Sequence, residues 1–341
     1  MKKIVKILTA LCLAGVFAAE PTAAREVQDI KGNRIEITDN VQRIADLWHA
    51  NNQIVLLLGG AYKLVATTTV IKANSWYNEV FPNIKNVPAL TNGQDVQLEE
   101  LLAANPDVVL ASNATMIQEV NQAGLKGVLV GFQDFDGLKK TVRITAEVIG
   151  GSALHIAQEY INELDGNINF VAARLKAIDN AQKPRVLHIS NAHDLLKIDG
   201  GKSMIGDWIV NAGGRNALPE QGNLVDVSME EIVKANPDVI IVGSANAAAG
   251  IEKIKQDPLW ANINAVKHGR IYANPLGTFP WDRYSAEEAL QILWAAKLFH
   301  PDLFKDVDMV QKTQAFYKKY YRYDLSTENA EQILRGLNPI K

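Results

Sequence analysis

Residues 95–109 read DVQLEELLAANPDVV, and residues 226–240 read DVSMEEIVKANPDVI. Nine of the fifteen positions are identical, and four of the six differences exchange one apolar residue for another. The spacing of 131 residues is far longer than the roughly 20–50 residues of a solenoid unit. It is the length of a domain. The chain therefore reads as two similar lobes.

Each copy has a definite physical shape. Ser228 and Glu231 form a capping-box pattern, so a helix is expected to begin at Met229. By register, Gln97 caps the first copy, and Leu98, Leu101 and Leu102 lie on one side of its helix. Asn105-Pro106 ends that helix, because a residue before proline is pushed out of the helical region. Asp107 leads into Val108-Val109-Leu110-Ala111, and Asp238 into Val239-Ile240-Ile241-Val242. Continuous apolar runs of this kind suit parallel strands buried on both faces. A helix followed closely by a buried strand is the unit of an α/β lobe.

Other segments fill in the lobes. Residues 26–38 alternate apolar and polar about Lys31-Gly32-Asn33, a hairpin pattern. Arg43 to Leu47 and Leu64 to Thr68 read as strands, and Asn51 to Leu58 as a helix ended by Gly59-Gly60. Ser152 to Ala181 has no proline, one internal glycine (Gly166), and Ile156, Tyr160, Leu164, Phe170, Leu175 and Ile178 at near-helical spacing. It reads as one helix of roughly 40 Å, stopped by Lys183-Pro184. A helical strut is stiffer than a loop, so wide hinge closure is not expected. The expected fold is α/β: two Rossmann-like lobes with mainly parallel sheets, joined by one long helix, with a ligand cleft between them. The expected boundaries are an N-terminal lobe over 25–151, a connecting helix over 152–182, and a C-terminal lobe over 183–341 with helices from Phe299 onward.

Composition bounds the function. The net charge of −3 and the lack of a basic run give no reason to expect a nucleic-acid partner. Lys2, Lys3 and Lys6 precede an apolar stretch from Ile7 to Ala19 and then small residues, the pattern of a cleaved signal peptide over 1–24. Cleavage fits after Ala24 or Ala18. Loss of Lys2, Lys3, Lys6 and Glu20 would make the net charge more negative by two and remove the only cysteine, Cys12. Leu11 precedes that cysteine where a lipoprotein signal needs a small residue. The expectation is an exported, periplasmic monomer without disulfides or thiolate metal sites.

The order and spacing of several motifs resemble the class III periplasmic binding proteins of ABC transporters, which carry ferric siderophores, haem, cobalamin and related metal complexes. Residues 29–37 (DIKGNRIEI) resemble the family's opening hairpin, and Val41-Gln42-Arg43-Ile44-Ala45 its entry into the first strand. Leu98-Glu99-Glu100-Leu101 through Pro106-Asp107-Val108-Val109 resemble the first-lobe signature, and Trp281-Asp282-Arg283 with Ser285 and Glu287 a late-chain motif. The resemblance implies capture of a metal chelate, most of all a ferric siderophore, and its delivery to an inner-membrane permease dimer. It also implies that one exposed glutamate per lobe engages arginines of the permease. Glu99 and Glu230 match those positions, in the first helical turn where a carboxylate is favoured by the helix dipole. Their alternative role is to stabilise the helix starts.

Ligands in open α/β sheets bind beyond the carboxyl ends of the strands. That rule selects Trp48 and His49, Trp76, Asn113, His193, and the run Trp281, Arg283 and Tyr284. Trp48 and Trp281 offer flat walls for a chelate or belong to the lobe cores. Arg283 can grip an anionic ligand through paired hydrogen bonds, or an internal partner such as Asp282 or Glu287. His49 and His193 are expected to face one another and to bond the ligand or complete the coordination of its metal. His188 reads as structural. No intrinsic cofactor is expected; the bound group is the metal–chelate cargo, with iron the first expectation. A free zinc or manganese site would need three or four converging ligands, and these candidates are scattered. Molybdate-type oxyanions and nickel chelates fit the same scaffold. An exported enzyme is the rival of another class, but no H-E-x-x-H or G-x-S-x-G motif is present, and Gly200-Gly201-Lys202-Ser203 has Leu196 where a phosphate loop needs glycine.

Overall fold

A computed structural model describes residues 24–243 and 246–340. The expected signal peptide and Cys12 lie outside the described residues. An antiparallel hairpin, β1 (Ala24–Gln28) and β2 (Arg34–Thr38), opens the described chain. Asp29 makes its turn, accepting from the amides of Lys31 and Asn33 around Gly32, which takes φ +84°. The first lobe is a parallel sheet of β3 (Ile44–Asp46), β4 (Leu64–Thr68), β5 (Ala89–Thr91), β6 (Val108–Ala111) and β7 (Gly127–Leu129), in the order β5-β4-β3-β6-β7. The second contains β8 (Arg185–Asn191), β9 (Asp194–Asp199), β10 (Arg215–Asn216), β11 (Val225–Asp226), β12 (Val239–Val242) and β13 (Ile271–Ala273). Its order is β11-β9-β8-β12-β13, with β10 beside β8. The strands β8, β10, β12 and β13 run parallel, whereas β9 is antiparallel to β8 and β11.

The repeat folds as the same device twice. Its helices are Leu98–Ala103 and Met229–Ala235. Asn105 and Asn236 both stop them in the left-handed region at φ 43°, and proline follows each. Asp107 then accepts from the amides of Gln42 and Arg43, and Asp238 from the amide of Arg185. Both arginines reach back to the helix ends, Arg43 to the carbonyls of Ala104 and Asn105, Arg185 to that of Ala235. The Asn-Pro-Asp step thus anchors the start of the strand next door, β3 in one lobe and β8 in the other. The capping box forms, with Ser228 Oγ accepting from the Glu231 amide and Glu231 accepting from the Ser228 amide. Ser228→Ala is expected to lower stability by about 1 kcal/mol, read by urea denaturation; no change would mean the box is idle.

Three differences from the sequence reading affect the site. The first helix runs His49–Leu57, so His49 is its first residue and Trp48 its cap. Asp46 substitutes for a capping side chain by accepting from the Trp48 amide and from Asn51. The connecting helix runs Ala153–Leu175, about 35 Å rather than 40 Å; Asp179 then caps a separate short turn, Asn180–Gln182. Finally, Asn191 and Asp194 flank a tight turn instead of a long loop, because β8 returns directly as β9.

Alternation along the strands sorts side chains into distinct cores. Val109 and Ala111 of β6 enter a core private to the first lobe, and Ile240 and Val242 of β12 one private to the second. Their neighbours Val108, Leu110, Val239 and Ile241 all enter one large core. That core runs through both lobes and includes Ala157, Tyr160, Ile161 and Leu164 of the connecting helix. A buried polar knot joins the lobes beside it. Gln53 donates to Thr278 and Glu287, each at 2.9 Å, and accepts from Ser285 Oγ and the Ala286 amide. Burial pushes the Glu287 carboxyl up to about 8, and hydrogen bonds from Tyr317 and the Phe279 and Thr278 amides offset only part of that.

The sign of the resulting pH effect is fixed. Between 4.5, the ordinary value, and about 8, the folded chain holds a proton that the unfolded chain has lost. Stability therefore falls as pH rises through that window. Glu288, also buried and raised, pulls in the same direction. Glu287→Gln mimics the protonated acid, so its stability should decline less steeply between pH 5 and pH 8, by up to about 1 kcal/mol per pH unit. Parallel curves in urea melts across that range would refute the assignment.

Candidate ligand-binding cleft

The loops after β3, β7 and β13 meet between the lobes. Trp48, after β3, packs against Phe132, after β7, with ring centroids 5.6 Å apart. Tyr284 of the second lobe lies against both, at 5.9 Å from Trp48 and 5.7 Å from Phe132. Its hydroxyl accepts from Asn223 in its own lobe and donates to Gln133 across the cleft, each at 3.3 Å. Tyr284 has φ 55°, a strained position for a bulky residue and one that concentrates at functional sites. One step further, His49 stacks on Phe279 of the second lobe at 5.4 Å. Its Nδ1 is buried without a partner among the described residues. Burial lowers its pKa, which favours a neutral ring with a lone pair to offer. At Gly93, with φ 100°, a Cβ would stand 3.7 Å from that nitrogen.

Behind Tyr284 lies a charge cluster. His188, on β8, is held between Asp199 (Nδ1, 2.9 Å) and Asp282 (Nε2, 2.8 Å), all three side chains fully buried. Burial alone would lower the His188 pKa, but the two carboxylates outweigh it and raise it. Asp199 is pushed up by burial, yet hydrogen bonding to His188 and the charges of His188 and Arg283 hold it at about 2. Arg283 donates to Asp199 at 2.6 Å. Two cations therefore balance two carboxylates. Arg283 keeps 17% of its side chain exposed and makes no other hydrogen bond among the described residues, so most of its donors remain available to an anion.

The structure sorts the remaining sequence candidates. Arg283 pairs chiefly with Asp199; Asp282 lies 3.9 Å away and Glu287 belongs to the Gln53 knot. Trp281 is 0% exposed and lies in the shared core, so it is no cleft wall. Trp76 is likewise 0% exposed, and its indole N–H donates to the Leu337 carbonyl. Asn113 spends its side-chain oxygen on the amides of Thr115 and Met116 as a helix cap. His193, exposed at the β8–β9 turn, bonds Asn246, whereas His49 packs on Phe279; the two have separate neighbours. Ser244, in the loop after β12, lies outside the described residues. No cluster of three or more His, Cys, Asp or Glu able to hold a metal ion occurs among the described residues. Gly200 and Gly201 allow close backbone approach to Gln221 and Pro219, and Ser203 caps the helix Met204–Asn211.

Sequence reasoning missed Phe132, Gln133, Asn223 and Asp199. The first two follow β7, whose three residues Gly127-Val128-Leu129 are too short a run to read as a strand. Asp199 is 84 residues from Arg283, beyond any local spacing signal.

A family model described as "Periplasmic binding protein" matches residues 44–275. The chain belongs to the periplasmic binding protein family. This binding protein is 26% identical to the molybdate-binding protein MolA of Haemophilus influenzae, over 95% of its own length and 99% of the relative's. The molybdate-bound structure of MolA superposes with a TM-score of 0.79, 23% identity, and 89% and 99% of the two chains covered. A solute-binding protein of Veillonella parvula gives 0.80 at 24% identity, covering 92% and 97%. Helicobacter pylori CeuE with Ni(II) bound gives 0.74 at 21%, covering 91% and 99%. At these identities the structural likeness establishes the two-lobed fold and leaves the solute open. No helix among the described residues is long and apolar enough to cross a membrane.

Glu99 and Glu230 are both exposed, in the first turns of the two repeat helices. In the second copy the neighbouring Glu231 closes the box with Ser228; in the first, Gln97 stands at the cap without a side-chain hydrogen bond to the helix. Glu99 and Glu230 have no hydrogen bond or ion pair among the described residues.

Proposed function

We propose that this binding protein works in the periplasm and captures a compact anion of the molybdate type in the interlobe cleft, for delivery to an inner-membrane permease dimer. The observation that carries the reading is Arg283, a fixed cation with unspent donors, next to the Tyr284 hydroxyl and Asn223. Asp199 holds the guanidinium in place without consuming it, so an oxyanion would meet donors already oriented. The ring contacts of Trp48, Phe132 and Tyr284 across the cleft favour a small guest over a broad planar one. The whole-length likeness to a molybdate-binding protein supports the same class. Glu99 and Glu230 are the proposed docking acids, one per lobe, for cationic side chains on the permease.

A metal chelate, the ferric siderophore included, is the second reading. It is favoured by an apolar groove of about 530 Å³ beside the His49–Phe279 stack, lined by Val70, Ala73, Leu276, Phe279 and Pro280 over Trp76. That groove could take the organic part of a complex whose metal meets the His49 lone pair.

Calorimetric titration separates the two. Molybdate or tungstate binding below ~1 μM, with none to ferric catecholate or nickel–histidine, is the expected result. The reverse pattern would select the chelate reading. Heat from none of them would overturn both.

A further inference from the structure

We infer that each repeat helix presents a matched pair, an unpaired glutamate and an apolar side chain one turn on, and that the two pairs together seat on a two-fold symmetric membrane dimer offering a cation beside an apolar notch in each half. This rests on the docking role proposed for Glu99 and Glu230 and adds the apolar half of that surface. Leu102 is 43% exposed and Val233 is 45% exposed. They occupy the same register of the repeat, as Glu99 and Glu230 do. Residues three apart share a helix face, so each lobe displays the same acid and apolar neighbour.

Neither residue belongs to a hydrophobic core. The inward position of each helix is already filled by Leu101 and Ile232, both 0% exposed. On an exposed helical face valine is a poorer helix former than alanine, lysine or glutamate, so Val233 is not there to strengthen its helix. The next register along is not held apolar: Ala103 in one copy is Lys234 in the other. An outward apolar residue kept in both copies beside an uncommitted acid fits an interface whose core is apolar and whose charges set orientation. The duplication selects the occupant. Two like surfaces on one chain match a partner made of two like halves.

The test measures affinity of the purified protein for the importer complex of its source bacterium in lipid nanodiscs. Leu102→Gln with Val233→Gln is expected to weaken binding at least tenfold, each single change about threefold, with melting temperature and molybdate titration unchanged. Leu259→Gln, at a still more open apolar site (64% exposed) outside the repeat, should bind as the unaltered protein does. Leu102→Met with Val233→Ile should restore affinity. Binding within twofold of normal by the Gln pair, while Glu99→Gln with Glu230→Gln is impaired, would overturn this inference and leave the glutamate reading standing. An equal loss in Leu259→Gln would overturn it as a general surface effect. Normal binding by the glutamate pair as well would remove both.

Discussion

Arg283→Gln should weaken molybdate binding by about a hundredfold or more. Removing one partner of a hydrogen-bonded, partly buried charge pair costs about 2–5 kcal/mol, and here the loss falls twice. The ligand would lose its cation, and Asp199 and Asp282 would be left with only His188 between them. The net charge behind the site would shift from balanced to negative, which repels an anion. Arg283→Lys should fall between, because lysine keeps the charge and loses the planar fork. Calorimetry gives the affinities, and a thermal melt separates loss of binding from loss of fold. An affinity unchanged in Arg283→Gln would remove Arg283 from the site and with it the oxyanion reading.

Glu99→Gln together with Glu230→Gln should abolish solute uptake by whole cells while leaving solution binding intact. Both carboxylates are exposed and uncommitted, so their removal should shift stability by no more than about 0.5 kcal/mol. Each single variant should retain partial transport, because the remaining lobe still engages. Uptake measured with ⁹⁹Mo-molybdate, beside calorimetry on the same variants, checks the split. Undiminished uptake by the double variant would end the docking assignment. Reduced uptake with equally reduced binding would instead place the two residues in the cleft.

Much of the architecture was legible because it is written in short-range physics. The repeat announced two lobes, and its Asn-Pro-Asp step marked helix end and strand start in both copies. Apolar runs marked β6 and β12. The same rules stumbled where the deciding contact is remote. Asp282 and Glu287 are the near neighbours of Arg283 in sequence, yet Asp199 takes its hydrogen bond. Trp48 and Trp281 look alike as apolar residues at strand ends and both enter the shared core; only packing shows that Trp48 keeps an edge against Phe132 and Tyr284 while Trp281 is fully sealed. The β8–β9 hairpin was missed for a different reason. Its alternation, Asp194-Leu195-Leu196-Lys197-Ile198-Asp199, is broken by paired leucines, and the two-residue turn lacks glycine. His193 consequently sits on a tight turn next to Asn246, away from His49. Tyr284 is selected by the strand-end rule, but nothing in WDRYS foretells its left-handed backbone.

The large core that threads both sheets and the strut has an outcome for how this carrier lives outside the cytoplasm. Separating the chain into two fragments at Ala153 would strip Val108, Leu110, Val239 and Ile241 of their shared cover, so neither fragment would stand alone as a working half. Loading and release are then expected from local rearrangement of side chains such as Tyr284 and His49 rather than from wide hinge opening. A transporter that strips the cargo has to pull on a nearly solid body, which makes where it grips matter more than how far it moves.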